Sequence, residues 1–532
     1  MQKKRTQLFA VLSILLVAAL GVAAGSAESE NGRIFYVDSG AGNDSNNGLS
    51  ATKAWKSLEK VNSTVFKAGD KILFKEGSRY KGQLKPRGSG RISDGSPAPI
   101  VIDMYGEGDK PRIDAEGEFE ATLYIHNVEY WEINNLEITN KGPQPKERRK
   151  GVFVHIENFG TASHIYLKNL YIHDVNGTCR KRDGASGGIR WQTGGREKRS
   201  RLNGFLVENC RIVRCERDGI MGAGHIRRGE DWFPSLNVVI RNNLIEEVPG
   251  DGIVPISCDG ALVEHNVMRN GTRLLPEGDA AAGVWSWACD NTIIQFNEVS
   301  GHKAPWDAQG FDSDWNCRNT IIQYNYSHDN EGGFLLVCNN GGARQNIAVN
   351  TGTIVRYNIS VNDGFRRRKT RSGDFSPIFH ISGPVKDTKI YNNVIYVTAQ
   401  PDPDPTMIKM DNWGGPWPED TWFANNIFYV EGEVRYDWGE SRNHWFEHNV
   451  FFGEHVNGPD DPAMITSDPM FVSPTAAAGF ESLPGFMLQK GSPCNRAGIS
   501  ISGNGGRDLF GNALKWTVSP SIGIHEFGAD YQ

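Results

Sequence analysis

No two of the eight cysteines in this 532-residue sequence are spaced as CxxC. That spacing rules out the common metal and redox pairs, and so few cysteines in so long a chain do not make a disulfide scaffold. Positive charge is also short: 57 Lys and Arg face 63 Asp and Glu, a formal net charge of −6. Nucleic-acid partners call for the opposite balance. A second apolar run of membrane-spanning length is missing as well.

The one long apolar run is "LFAVLSILLVAALGVAA", which follows "MQKKR" and precedes small residues before Glu28. A basic start, an apolar middle and small residues predict a secretory leader over 1–27, hence a secreted or periplasmic protein that is not membrane-held. Its removal takes away Lys3, Lys4 and Arg5 and no acid, so the rest is more acidic still. A local exception is "RRRKTR" at 366–371. It could meet an anionic substrate, but a solvated loop is the plainer reading.

What is abundant is glycine, 61 residues, with 38% hydrophobic residues, a turn-rich composition that favours β architecture. Strand-length segments of one pattern recur: "WEINNLEI", "IYLKNLYI", "LVENCRI", "VIRNNLI", "LVEHNVM", "IIQFNEV", "IIQYNYS", "IVRYNIS", "IYNNVIY", "WFANNIF" and "WFEHNVF". Their asparagines are Asn135, Asn169, Asn209, Asn243, Asn266, Asn297, Asn325, Asn358, Asn393, Asn426 and Asn449. "CDGALVEHN", "CDNTIIQFN" and "CRNTIIQYN" repeat a cysteine at a fixed offset from the asparagine. Fixed offsets at variable spacing mean coils that share strands and differ in loops. Equivalent side chains then stack about 4.8 Å apart, Asn on Asn and Cys on Cys. The expectation is an all-β parallel solenoid of eleven or more coils.

On these repeats the chain resembles secreted right-handed parallel β-helix proteins of the pectin-lyase-like superfamily, over roughly residues 33–530. "IFYVDSGAGNDSNNGLSATKAWKSLEKVNSTVFKAGDKILFKEG" looks like their entry strand, capping helix and first coil, and "GRDLFGNALKWTVSPSIGIHEFG" like their closing segment. The resemblance implies an N-terminal cap and first coil over 28–100, a body over 101–455, and C-terminal coils with a closing segment over 456–532. It leaves the chemistry open, since the superfamily hosts lyases, hydrolases, epimerases, esterases and inert adhesins.

A second strand recurs in "GIRWQ", "GIMGA", "GIVPI", "GVWSW", "GFDSD" and "GFLLV". Aligned on the glycine, Ile189, Ile220, Ile253, Val284, Phe311 and Phe334 point inward. Parity sends Trp285 and Asp312 outward side by side, and likewise Trp287 and Asp314. The same face continues through His380 in "PIFHISG" and Lys409 and Asp411 in "MIKMDNW". Exposed Trp285 and Trp287, with Trp315 nearby, offer a stacking platform for sugar rings, unless a loop such as 305–309 or 412–420 buries them. Asp312 and Asp314, about 6.5–7 Å apart along the strand, suit an inverting acid–base pair. Indole contact would raise the more enclosed acid.

Glu331 in "SHDNEGGF" is a candidate third carboxylate, against a plain turn-acid role like that of Asp218 and Asp251. His173 and His328 follow from repeat position. "GNDSNNG" is weak evidence for Ca²⁺. Three readings follow. The first is a glycoside hydrolase on a polysaccharide or oligosaccharide, needing no cofactor, with Asp312 and Asp314 as acid and base and His380, Lys409 or Asp411 contacting substrate. The second is a polysaccharide lyase with Lys409 as base and Ca²⁺ held by Asp312, Asp314 and Asp411. The third is a carbohydrate-binding β-helix without catalysis. A solenoid of this length needs no partner copy, so a monomer is expected. The polygalacturonase pattern of the superfamily is not met in order, so neither sugar nor stereochemistry transfers.

Overall fold

Ser57 opens the only α-helix among the described residues, Leu58–Ser63, by accepting the Lys60 N–H on its side chain. Leu58 and Val61 are buried there, and Trp55 stacks on Phe35, so the short helix closes the first coil as the resemblance implied. The structure, a computed structural model, describes residues 32–528 apart from 185, 229–230, 341–349, 367–375, 399–404, 476–478 and 516. The leader read at 1–27 and most of the basic run 366–371 lie outside the described residues. No helix among the described residues is long and apolar enough to cross a membrane.

Successive coils contribute short strands such as Leu262–Glu264, Val267–Arg269 and Val284–Ser286, each paired in parallel with its equivalent in the neighbouring coil. They assemble into long sheets of 15 and 23 strands. The enclosed core is the stack of inward residues, Ile189, Ile220, Ile253, Val284 and Phe311 among them, all at 0–1% exposure. The chain is a right-handed parallel β-helix, the hand that parallel crossovers take.

The asparagine ladder is real but shorter than the repeat suggested. From Asn243 through Asn266, Asn297, Asn325, Asn358, Asn393 and Asn426 to Asn449, each side-chain amide donates to the next side-chain oxygen at 2.9–3.0 Å. The Cys210 N–H caps one end and Asp461 accepts at the other. Asn135, Asn169 and Asn209 stand one residue out of this column, in left-handed backbone at φ 54–57°. Leu136, Leu170 and Cys210 fill the buried position there instead. All eight cysteines are free.

Beyond Val450–Val456 the chain turns back along the helix. Leu483, Phe486, Cys494, Ile522 and Ile524 pack on Ile359, Val361, Val394 and Tyr396, and the Tyr324 hydroxyl donates to the Arg507 carbonyl. In "GNDSNNG", Asp44 accepts the Lys56 and Ser57 N–H groups, so its carboxylate shapes a turn.

Candidate active site

The outward face of the second strand carries the site. Trp285 pairs with Asp312 in register, as parity predicted, and Asp312 pairs in turn with Leu336, His380 and Lys409. The Phe334 alignment is off by one: Gln309, not Gly310, pairs with Gly333, so Leu335 sits opposite Phe311. "GFLLVC" is apolar throughout and buried throughout, so no polar residue marks its register. Asp314 therefore lies beside Cys338, whose thiol donates to its Oδ1 at 3.0 Å.

Side chains converge more than the backbone does. One ligand atom each from Asp312, Asp314 and Cys338 lies within 4.8 Å of the others, so the two carboxylates lean together from positions about 6.5–7 Å apart along the strand. This proximity would admit a cation, but a thiol beside two carboxylates is not the all-oxygen set that Ca²⁺ takes. Asp312 is 3% exposed and its Oδ1 has no hydrogen-bond partner among the described residues. Burial, then the charges of Asp314 and Asp307, push it well above the ordinary carboxylate range. Burial raises Asp314 too, opposed by the Cys338 thiol and by the Trp315 N–H at 2.6 Å.

A carboxylate that strand parity passed over completes the group. Asp307 lies on the short strand Trp306–Asp307, which pairs with Ala280–Ala281 above the main sheet. Burial lifts Asp307 to about 6, with Lys181 and His380 pulling it down and Asp314 and Asp251 pushing it up. Its backbone is in the left-handed region at φ 56°, as is that of Ala308 at 67°. The Arg366 guanidinium clasps this turn, donating to the carbonyls of Ala304 and Asp307. Arg366, the first residue of the basic run, is thus buried in a structural role. Gly332 passes so close that a Cβ on it would lie 1.5 Å from the Asp307 oxygen.

Lys181 reaches in from the loop between strands at 171–176 and 187–194. Its ammonium lies 5.5 Å above the Trp285 ring. Burial lowers Lys181, but the charges of Asp251, Asp314 and Asp307 outweigh this and raise it overall. It supplies positive charge to the acidic group.

The two tryptophans differ from the open platform expected. Trp285 is 5% exposed, packed with Met221, Val254, Ile256, Ile226 and Trp287, and its indole N–H donates to Asp251 at 3.0 Å. Ile226, from a loop distant in sequence, packs against this cluster, and the Lys181 ammonium lies over the ring. Trp287 and Trp315 remain half-buried.

Glu331 faces away from open chemistry: Arg273 pairs with it and Arg366 stands 3.9 Å off. Lys409 is paired with Asp437. His380 is buried, 3.6 Å from Asp411 and edge-on to Trp413 at 5.5 Å. The His380 hydrogen bond, ahead of burial, sets Asp411, which falls to about 2 with help from the Asn412 and Trp413 N–H groups. Asp218 and Asp251 are buried partners of Arg217 at 2.8 and 2.6 Å.

A family model for the right-handed beta helix region matches residues 203–366, which agrees with the architecture. More specific likenesses follow. A lacto-N-biosidase of Bifidobacterium longum subsp. longum is 28% identical over 585 aligned positions, covering 91% of this chain and 34% of the relative, so this chain spans only about a third of that protein's length. The crystal structure of a GH136 lacto-N-biosidase from Eubacterium ramulus superposes with a TM-score of 0.56 at 27% identity, over 69% of this chain and 64% of that one. The complex of XylC with xylose matches at a TM-score of 0.52 and 12% identity, over 93% and 98% of the two chains, a likeness of fold alone.

Proposed function

We propose that this chain is a glycoside hydrolase that cleaves oligosaccharides of the type its lacto-N-biosidase relatives are named for. The observation that carries the reading is the trio of Asp307, Asp312 and Asp314, the second buried and the other two half-buried, whose charges act on one another and on Lys181. Mutual repulsion and burial divide the protons unequally among such acids, which is the arrangement glycoside hydrolysis uses.

Asp307, held near 6, is the proton donor to the glycosidic oxygen. Asp314 accepts hydrogen bonds from Cys338 and Trp315 and lies near Lys181, so it is the carboxylate that ionises. It faces the positive charge that develops at the anomeric carbon. Water then supplies hydroxide to that carbon, and its proton returns to Asp307. Asp312 stays protonated and orients its neighbours. In this reading Asp307 takes the place that alternation alone gave to Asp312. The elimination alternative has less support, because its base, Lys409, is already paired with Asp437. An extracytoplasmic place of work, expected from the leader-like start, is part of the same proposal.

The test is incubation with oligosaccharides ending in lacto-N-biose. Release of the intact disaccharide, with a new reducing end and no unsaturated product, is expected. An unsaturated, ultraviolet-absorbing product, or no cleavage of any such chain, would overturn it.

A further inference from the structure

Six coils before Asp312, the same face carries a second feature. Register runs from Tyr124 to Phe153, Arg190 and Met221, and through Val254 to Trp285 and Asp312. His126 and His155 occupy the parallel column that leads to Asp314. At about 4.8 Å per coil the separation is about 29 Å.

There the surface opens into a cleft of about 570 Å³, lined by Asn62, Gln83, Lys85, Arg87, Phe119 and His126 among others. A smaller hollow of about 170 Å³ lies on the other side of Phe119, beside Glu147 and Arg148. Phe119 is 40% exposed, a large apolar side chain standing between two concavities. Behind it Tyr124, Phe153 and His155 form a stacked aromatic row, locked by the 3.0 Å hydrogen bond between the Tyr124 hydroxyl and His155 Nδ1.

The polar groups around the cleft divide into two kinds. Asn62 and Gln83 are spent on backbone, donating to the Gln83 and Ala121 carbonyls, and so shape the wall. Glu59 and Arg87 form no ion pair among the described residues, and Lys85 only lies over the Tyr124 ring, at 4.8 Å. Burial, then His155 and Lys85, lower His126, so at neutral pH its ring offers one donor and one acceptor.

We propose that this cleft is a second carbohydrate-binding site, which holds an extended, uncharged stretch of oligosaccharide against Phe119. An exposed aromatic ring flanked by unpaired donors and acceptors matches the apolar face and hydroxyl rim of a sugar. Lys85 and Arg87 exceed Glu59 in the cleft by one charge only, so recognition falls to the aromatic ring and the hydrogen-bonding rim. The choice of ligand rests on the hydrolase reading.

The experiment uses the full chain with Asp314→Asn, so that ligand survives. Electrophoretic retardation by desialylated, desulfated mucin in the gel, each variant referred to a gel without it, is compared with and without Phe119→Ala, and with Lys85→Met as a second variant. Retardation about ten-fold weaker in both is expected. In the background with Asp314 intact, turnover of an aryl lacto-N-bioside, too short to reach the cleft, stays unchanged. Retardation unaltered by both substitutions, or absent from the parent, would overturn the proposal. If the aryl glycoside is never cleaved but Phe119-dependent retardation persists, the hydrolase reading fails and the binding site stands.

Discussion

Cys338 donates its thiol hydrogen to Asp314 Oδ1 across 3.0 Å, from the neighbouring coil. Because this bond favours the ionised acid, it holds Asp314 lower than burial alone would. Cys338→Ala removes it, and the acidic limb of the rate profile should move to higher pH by about one unit. Cys338→Ser keeps a donor and should restore most of the shift. A limb that stays in place in Cys338→Ala would mean that the bond does not tune Asp314.

Gly332 is the second point of leverage. A methyl group there would meet the Asp307 carbonyl at 1.5 Å, so the turn that Arg366 holds must shift to make room. Gly332→Ala should reduce kcat about 100-fold by displacing Asp307. The expected pattern is a fall in kcat with KM little altered, measured alongside Tm to show that the variant remains folded.

Two buried histidines should give stability opposite pH dependences. His328 is raised to about 9: burial opposes the charge, but Asp329 and Glu298 hold it. Protonation therefore favours the fold, and this contribution is complete below the unfolded value of about 6.5 and lost as pH climbs to about 9. His302, by contrast, is lowered to about 4 by burial, with both ring nitrogens unpartnered among the described residues. There the fold excludes a proton that the unfolded chain binds, so stability falls from about pH 6.5 down to about pH 4. Denaturant midpoints for His328→Gln and His302→Gln across pH 4–9 separate the two: the first should flatten the alkaline side and the second the acid side.

The ladder offers a contrast of position. Asn325 is fully buried and bonded on both sides, to Asn297 and Asn358, while Asn169 is exposed in left-handed backbone one residue out of the column. Asn325→Ala should destabilise by about 2–4 kcal/mol, the loss of several buried hydrogen bonds. Asn169→Gly should change stability by less than about 0.5 kcal/mol, because glycine accepts the same backbone. Urea denaturation distinguishes them.

These positions also show where pattern carries information. Parity placed Trp285 beside Asp312, and put His380 and Lys409 on the same face, where they pair, because a polar residue in an apolar column marks register. It slipped at Phe334, where every neighbour is apolar, and it misread Asn135, Asn169 and Asn209, whose left-handed turn position accepts asparagine for a different reason than the ladder does. The burial of Trp285 was hidden because Lys181, which lies over its ring, and Ile226, which packs against its cluster, belong to loops distant in sequence. Glu331 stood between a third carboxylate and a turn acid for the same reason: Arg273 and Arg366 meet it only in three dimensions. Asp307 escaped because alternation says nothing about a side chain on a left-handed turn, although its place seven residues before Asp314 in "WDAQGFDSDW" put it on the approach to the same strand.

The central claim is that Asp307 and Asp314, rather than Asp312, carry the proton transfer and the charge. The most direct measurement is kcat on an aryl lacto-N-bioside for Asp307→Asn, Asp312→Asn and Asp314→Asn, each with its folded state checked. The account predicts losses of about 10³-fold or more for Asp307→Asn and Asp314→Asn, and about ten-fold for Asp312→Asn, since an amide replaces an already neutral acid. A full loss in Asp312→Asn with activity retained in Asp307→Asn would contradict it.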